Sequence, residues 1–323
     1  MKPYLRLFSR ATDVTVEICQ RTLHGRYLTR PDPEFNQRAV GVLAKAQTMY
    51  GVRLHAFTTL SSHLHLLATF DDAEQMARFC CHVFTNLSKL VGRFYDWPGT
   101  VFPEPYHHVE LSREPEVEAA RLKYVLGQGC KENLVASPLD WPGASSTRAL
   151  VRRDLANRVQ GEWVDGTALA KARSRGSLET ERDFMESVEV ELSPIPSLAH
   201  LTGEQYRGFV VGLVREIEQE TEARHRSDGT RPLGIVAILA VDPHTRPAEL
   251  EKSVQPWFFA LDPLQRQALA TALSWIVASY REAAALLKEV VAGGGDPRTV
   301  QFPVGTFPPG LPFVRGKPRP EPG

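Results

Sequence analysis

The sequence has few cysteines, no net charge and no long apolar run. Its 323 residues include four cysteines, none with the Cys-x-x-Cys spacing of a zinc or redox motif. The adjacent Cys80 and Cys81 argue against a disulfide framework, so we expect a reducing, cytoplasmic environment. Lys plus Arg and Asp plus Glu both total 38, and this balance gives no compositional sign of a nucleic-acid partner.

Segments that would direct the chain to a membrane are also missing. No stretch is apolar over the roughly 20 residues that cross a bilayer, and the N-terminal MKPYLRLFSRATDVTV lacks the apolar core of a signal peptide. We therefore expect no membrane association. Hydrophobic residues make up 42% and charged residues 24% of the chain, which is ordinary for a globular protein of one large or two smaller domains.

Hydrophobic periodicity predicts the order β-α-β-β-α-β-α for about the first 150 residues. The predicted strands are residues 13–22, 52–60, 62–70 and 106–112. The predicted helices are residues 30–51, 71–97 and 113–126. This pattern predicts an α+β fold, with a mostly antiparallel sheet and helices packed against it. Gly127 and Gly129 should weaken or end the last helix.

The second half of the chain differs in composition and predicts a mainly helical C-terminal region. We divide the chain into residues 1–155, a linker with short elements at 156–200, a helical accessory region at 201–296 and a Pro/Gly-rich tail at 297–323. Helices are predicted at 202–226, after a Thr cap, and at 262–295, where Asp262 precedes a proline.

The stretch TTLSSHLHLLATF, residues 58–70, places two imidazoles in a strand that otherwise reads as buried. Because side chains alternate along a strand, His63 and His65 share one face while Leu64 and Leu66 point into the core. Three interpretations are open: hydrogen-bonded buried histidines, two ligands of a metal ion, or an acid–base pair.

A helix farther along offers a partner for the histidines. Tyr124 and Gln128 are four residues apart, a spacing that puts two side chains on one helical face. A tyrosine hydroxyl is a usable covalent nucleophile, although a half-buried structural aromatic is the simpler interpretation of Tyr124 alone. Tyr95 and Tyr106 are competing candidates in the same half of the chain.

Together these segments resemble the HUH single-tyrosine transposases of the insertion-sequence-200-like family, and most closely the REP-associated tyrosine transposases. The segment GVRLHAFTTLSSHLHLLATFDDAEQMARF resembles the family's strand–strand–helix region with its His-hydrophobic-His motif. The segment RLKYVLGQGCKENLVASPLDWPGASSTRAL resembles its nucleophile helix and following loop, with Tyr124, Leu134-Val135 and Asp140-Trp141-Pro142 in register. QRTLHGRYL resembles the first strand and turn, so the likeness covers about residues 1–155.

The resemblance implies a ferredoxin-like antiparallel sheet with flanking helices and an enzyme that cuts and rejoins single-stranded or hairpin DNA. It implies that His63, His65 and Gln128 hold Mg²⁺ or Mn²⁺ and that Tyr124 becomes linked to the 5′ phosphate. We expect DNA contacts from six basic residues in this half: Arg21, Arg26, Lys89, Arg93, Lys123 and Lys131. Monomer and homodimer both stay open.

Departures from the family pattern keep a second function open. Ser62 stands where the family usually has Asn, and VFPEPYHHVEL replaces a segment that usually carries an aromatic residue and arginines. Phosphate contacts supply much of the affinity for DNA, so the alternative is a domesticated or decayed transposase that binds DNA without cutting it. Trp257, Phe258 and Phe259 are either base-stacking residues or core residues.

Overall fold

A computed structural model describes residues 4–5, 12–248 and 256–309 of the chain, and the end of the predicted tail lies outside the described residues. The described strands are β1 (Tyr4–Leu5), β2 (Val14–Arg21), β3 (Arg53–Thr59), β4 (His63–Phe70), β5 (His107–Leu111), β6 (Arg158–Val164), β7 (Met185–Glu191), β8 (Phe258–Phe259) and β9 (Thr306–Phe307). The described helices are α1 (Pro33–Tyr50), α2 (Ala73–Phe94), α3 (Pro115–Leu126), α4 (Gln128–Lys131), α5 (Thr147–Val151), α6 (Gly166–Ser174), α7 (Gly203–Asp228), α8 (Ile235–Ala240) and α9 (Pro263–Ala292).

Local sequence signals explain where the helices begin and end. The Asp32 carboxylate accepts hydrogen bonds from the first turn of α1, and Gly51 ends that helix in the left-handed region at φ 66°. Asp262 caps α9 in the same way, with Pro263 at the first helical position. The predicted interruption at Gly127 is confirmed, because α3 ends at Leu126 and α4 begins at Gln128.

A five-stranded sheet in the order β3-β4-β2-β5-β8 forms the centre of the fold, and the predicted α+β architecture is confirmed. The first four strands pair antiparallel, and β8 joins β5 in parallel. In the central pair, Cys19 lies opposite His65 and Arg21 opposite His63. These four side chains therefore share one face of the sheet.

The two faces of the sheet differ in chemistry, as the alternation in β4 predicts. Leu64 and Leu66 are buried on the apolar face, where the Phe70 ring meets Phe79 of α2 with centroids 5.7 Å apart. Helix α3 packs on the opposite face. Thr58 of β3 donates a hydrogen bond of 3.0 Å to the Val125 carbonyl there, and this contact seats the helix on the strands.

The segment predicted as linker and short elements contains an antiparallel pair, β6 and β7, that packs against α1. The approach is close because glycines face each other. A Cβ added at Gly41 would lie 1.9 Å from the Glu162 carbonyl oxygen, and one at Gly161 would lie 2.5 Å from the Gly41 nitrogen. Only a glycine pair lets a helix and a strand touch backbone to backbone here.

The C-terminal region is mainly helical, as predicted, but it also contributes a strand to the central sheet. Phe259 of β8 packs with the main core, whereas Phe258 packs with a second cluster around Ile276 of α9. Both aromatics are therefore packing residues in this fold, which favours the core interpretation. Helix α7 lies along α3 and α4. Over the described residues, no helix combines the length and apolarity needed to cross a bilayer.

Candidate active site

The two histidines of β4 lie side by side on the polar face of the sheet, with ring centroids 5.0 Å apart. Both are buried. The Ser62 hydroxyl lies 3.0 Å from His63 Nδ1, which leaves Nε2 as the His63 nitrogen that could bind a ligand. Burial, followed by the charge of neighbouring His65, holds the pKa of His63 well below its ordinary value. His63 is therefore a neutral imidazole at neutral pH.

His65 has a different environment because an anion supports it. Its Nδ1 lies 2.8 Å from Glu17 Oε1, and its Nε2 lies 3.8 Å from the Cys19 sulphur. Burial disfavours the charged imidazole, but Cys19 and then Glu17 outweigh burial and raise the pKa of His65 to about 10. Although burial opposes it, the bond to His65 lowers the pKa of Glu17. Without a metal, the pair is an imidazolium–carboxylate ion pair.

Arg121 of α3 completes this buried network. Its guanidinium donates to Glu17 Oε2 at 2.8 Å, so the carboxylate binds a helix cation with one oxygen and a strand histidine with the other. The same guanidinium lies 5.0 Å from the centroid of the Tyr124 ring. The network thus connects β2, β4 and α3 at the position of the candidate nucleophile.

Tyr124 lies against His65 of the histidine pair. Its ring meets the His65 ring edge-on at a centroid distance of 5.6 Å. Lys131 Nζ donates to the Tyr124 hydroxyl at 3.1 Å and lies 4.5 Å from the ring centroid. The phenol oxygen therefore has a cation within hydrogen-bond distance, and Tyr124 is half-buried rather than enclosed.

Gln128 lies in a different helix from Tyr124, because the helix is interrupted at Gly127. It is buried, and its amide nitrogen donates to the Tyr124 main-chain carbonyl at 2.9 Å. The main chain of Tyr124 thus orients the Gln128 amide. Its role as a ligand stays a prediction.

The six basic residues expected to contact DNA fall into two groups. Arg26 donates to the His244 carbonyl, Arg93 pairs with Glu181 at 3.4 Å, and Lys123 is held between two acidic side chains of α7. Arg21, Lys89 and Lys131 are exposed. Of these, Arg21 and Lys131 lie near enough to His63 for their charges to lower its pKa.

The competing tyrosines lie elsewhere. The Tyr95 hydroxyl donates to the Arg30 carbonyl at 2.7 Å, and burial raises its pKa to about 12. The Tyr106 ring packs 5.8 Å from Phe84 of α2, which covers the opposite face of the sheet from His65. Among the three candidates, Tyr124 is the one that shares a face with the histidines.

The Asp-Trp-Pro segment has a structural role in the arrangement. The Trp141 side chain is buried, its indole nitrogen donates to the Thr59 carbonyl at the end of β3, and its ring touches Gly129 of α4. Asn36 of α1 binds the next residues of the loop through its amide. The loop therefore holds α4 against the end of β3, the strand that pairs with β4.

Sequence reasoning did not find Glu17, Cys19 and Arg121, which surround His65. The available signal was a charged residue in the middle of the apolar strand VTVEICQ, on the same face as Cys19. A lone buried charge in a strand requires a partner, but the partner lies 48 residues away in sequence and the pattern does not identify it.

The histidine pair meets part of what a divalent ion needs. Each imidazole has Nδ1 in a hydrogen bond, and the carboxylate behind His65 is the arrangement that orients metal-binding histidines. No cluster of three His, Cys, Asp or Glu side chains suited to a metal occurs among the described residues. The two imidazole nitrogens could therefore supply two ligands of a divalent ion. Oxygen atoms of Gln128, of the substrate phosphate or of water would have to supply the other ligands.

Comparisons with known proteins return partial structural likenesses. No family model matches the chain, and no curated protein matches its sequence. A REP-associated tyrosine transposase bound to a REP hairpin superposes with a TM-score of 0.37 and 16% identity, over 45% of this chain and 83% of that one. A candidate transposase from Deinococcus radiodurans R1 gives 0.27 and 14%, over 37% and 94%. Scores this low carry no functional argument.

Proposed function

We propose that the chain is a transposase of the HUH single-tyrosine type, which cleaves and rejoins single-stranded DNA through a covalent link between Tyr124 and the 5′ phosphate. The observation that carries the proposal is the edge-on contact of the Tyr124 ring with His65, in a pair of imidazoles at the centre of the sheet. The motif order, from His-x-His to the tyrosine helix to Asp-Trp-Pro, supports the same assignment.

The chemistry is a transesterification. The Tyr124 oxygen forms a bond to phosphorus while the bond from phosphorus to the 3′ oxygen breaks. The phenol proton passes to water, and the departing 3′ oxygen takes one up, so a free 3′ hydroxyl and a phosphotyrosine result. Lys131, 3.1 Å from the phenol oxygen, stabilises the negative charge on that oxygen when it attacks and when it departs in rejoining.

A divalent ion, Mg²⁺ or Mn²⁺, is part of the proposal. His63 and His65 would hold it through Nε2, with Gln128 as a further ligand. When bound, the ion neutralises the phosphate oxygens. The elevated pKa of His65 means that this imidazole must lose a proton before it can ligate, so metal affinity should rise with pH.

The second candidate is a DNA-binding protein that has kept this fold without cleavage. One observation favours it: Arg26, Arg93 and Lys123 make contacts inside the chain. Such residues are less available to neutralise phosphates, and phosphate contacts supply much of the affinity for DNA.

The deciding experiment incubates the full chain with single-stranded hairpin DNA and Mn²⁺ and looks for a covalent protein–DNA band on a denaturing gel. Tyr124→Phe should remove the band while leaving the fold intact, because the substitution removes only the oxygen. Tyr95→Phe and Tyr106→Phe are the matched controls and should retain it. A band that survives Tyr124→Phe but not Tyr106→Phe would contradict the assignment.

The metal is tested separately by calorimetry with Mn²⁺ in the absence of DNA. His63→Ala and His65→Ala should each abolish binding, since each removes one of two nitrogen ligands. Unchanged binding in both variants would refute the metal site. A wild-type chain that binds hairpin DNA but forms no adduct would favour the non-catalytic candidate.

A further inference from the structure

The C-terminal region reaches the candidate site through the strand β8. Its backbone joins the outer edge of β5: Glu110 donates to the Trp257 carbonyl and Ser112 to the Phe259 carbonyl, both at 3.0 Å. A short strand that covers an exposed sheet edge needs no further explanation. The side chain of Phe259, however, makes a contact that edge protection does not require.

Phe259 lies against the cation that connects the site. The Arg121 guanidinium is 5.1 Å from the centroid of the Phe259 ring and 5.0 Å from that of Tyr124. The same guanidinium makes the 2.8 Å bond to Glu17, which in turn binds His65. Within the described part of the chain, Arg121 therefore meets two aromatic rings and one carboxylate. One of those rings comes from a region more than 130 residues farther along the chain.

A second attachment joins the same segment to the beginning of the nucleophile helix. The Glu114 carboxylate, at the N-terminal end of α3, accepts hydrogen bonds from the Leu261 nitrogen at 3.1 Å and the Asp262 nitrogen at 2.7 Å. Helix α3 is thus held by residues 259–262 at its start and in its middle, directly before the turn that carries Tyr124.

We propose that Phe259 is a positioning residue for the nucleophile: its ring holds the Arg121 guanidinium where it both binds Glu17 and lies over the Tyr124 ring. The inference rests on the proposed function, because it assigns the C-terminal region a part in the Tyr124 reaction. A cation over an aromatic ring is directional, so loss of the ring lets the guanidinium leave this geometry even when the volume is filled.

The neighbouring phenylalanine provides a matched control. Successive side chains of a strand point to opposite sides, and Phe258 packs with the cluster around Ile276 instead of with the site. Phe258→Leu and Phe259→Leu therefore remove the same group from the same strand, and both rings are partly buried. Phe259→Tyr keeps an aromatic face and should behave as wild type.

The experiment measures single-turnover formation of the covalent adduct by the full chain against the concentration of hairpin DNA. Phe259→Leu should lower the maximal rate about threefold to tenfold, the range that a partly desolvated cation–π contact corresponds to, with unchanged half-saturation. Phe258→Leu and Phe259→Tyr should retain the wild-type rate. An equal fall in both Leu variants, or no recovery with Tyr, would overturn the proposal. If Phe259→Leu does not fold, Phe259→Met, which is also without an aromatic face, takes its place.

A measurement without DNA separates this inference from the proposed function. Hydrogen exchange of the peptide covering residues 115–126 should be faster in Phe259→Leu than in Phe258→Leu, because only the first loosens α3. If the wild-type chain forms no adduct with any hairpin, the proposed function fails, and this comparison still decides the positioning. Equal exchange in the two variants would overturn it.

Discussion

Replacement of Glu17 by Gln tests the buried network behind the histidines. The Glu17 side chain is 4% exposed, and its carboxylate lies 2.8 Å from both His65 and Arg121, whose side chains are 5% and 14% exposed. Gln keeps the shape and one acceptor but leaves two buried cations without their anion. Loss of one partner of a buried ion pair costs about 3–5 kcal/mol, and the retained hydrogen bond places our expectation near the lower end, at about 3 kcal/mol of unfolding free energy.

Glu118 offers the matched control for this substitution. It is also buried on the polar face of the sheet, but its carboxylate accepts from the Thr15 hydroxyl and the Ser197 nitrogen, which are neutral. Glu118→Gln should cost about 1.5 kcal/mol, the lower value for a hydrogen bond from a neutral donor to a charged acceptor. Urea unfolding at a common m value measures both variants. Equal losses would show that the cations do not depend on Glu17 and would refute the network.

Glu17→Gln should also weaken Mn²⁺ binding measured by calorimetry. Partners behind a metal-binding histidine typically contribute about 10- to 100-fold in affinity. Unchanged affinity alongside reduced stability would assign Glu17 to folding alone.

Three further outcomes follow from other contacts. Burial lowers the pKa of His55 to about 4, so as pH falls below 6.5 the imidazole takes up its proton in the unfolded chain before it does in the folded one. The free energy of unfolding should therefore drop by about 2 kcal/mol by pH 5, measured by thermal unfolding, and His55→Gln should lack this pH dependence. Gly41→Ala should lower the free energy of unfolding by about 3 kcal/mol, because the added methyl group overpacks α1 against β6. Gly212→Ala, where the space around the Cα is open, should be neutral or slightly stabilising. Equal effects of the two substitutions would contradict the close approach of α1 and β6. Lys131→Gln should slow adduct formation about tenfold through loss of a charged hydrogen bond to Tyr124, and an unchanged rate would exclude that role.

The first half of the fold could be predicted because its signals are local. The strands around His63 and Val16 alternate polar and apolar residues, and period-2 geometry then decides which side chains share a face. Asp32, Gly51 and Asp262 mark helix ends through hydrogen bonds within a few residues of the cap. The mainly helical character of the C-terminal region followed from the same kind of signal.

The contacts that the site residues make with one another and with their neighbours could not be predicted in this way. Glu17 meets His65 only because β2 and β4 pair in one register, and that register depends on packing across the whole sheet. The spacing of Tyr124 and Gln128 indicated one helical face, but the break at Gly127 gives the two side chains different helices and turns the amide toward a main-chain carbonyl.

By itself, the sequence determined that two imidazoles share a strand face and that a tyrosine lies on a helix of the same domain, since both follow from periodicity. Tertiary structure alone decided that Tyr124 and not Tyr106 meets the histidines, and that Phe259 from the C-terminal region reaches Arg121. The physical reason is the distance along the chain over which each effect acts. Periodicity orients a side chain only relative to its own strand or helix. Which elements then come together depends on burial and pairing summed over segments far apart in the chain.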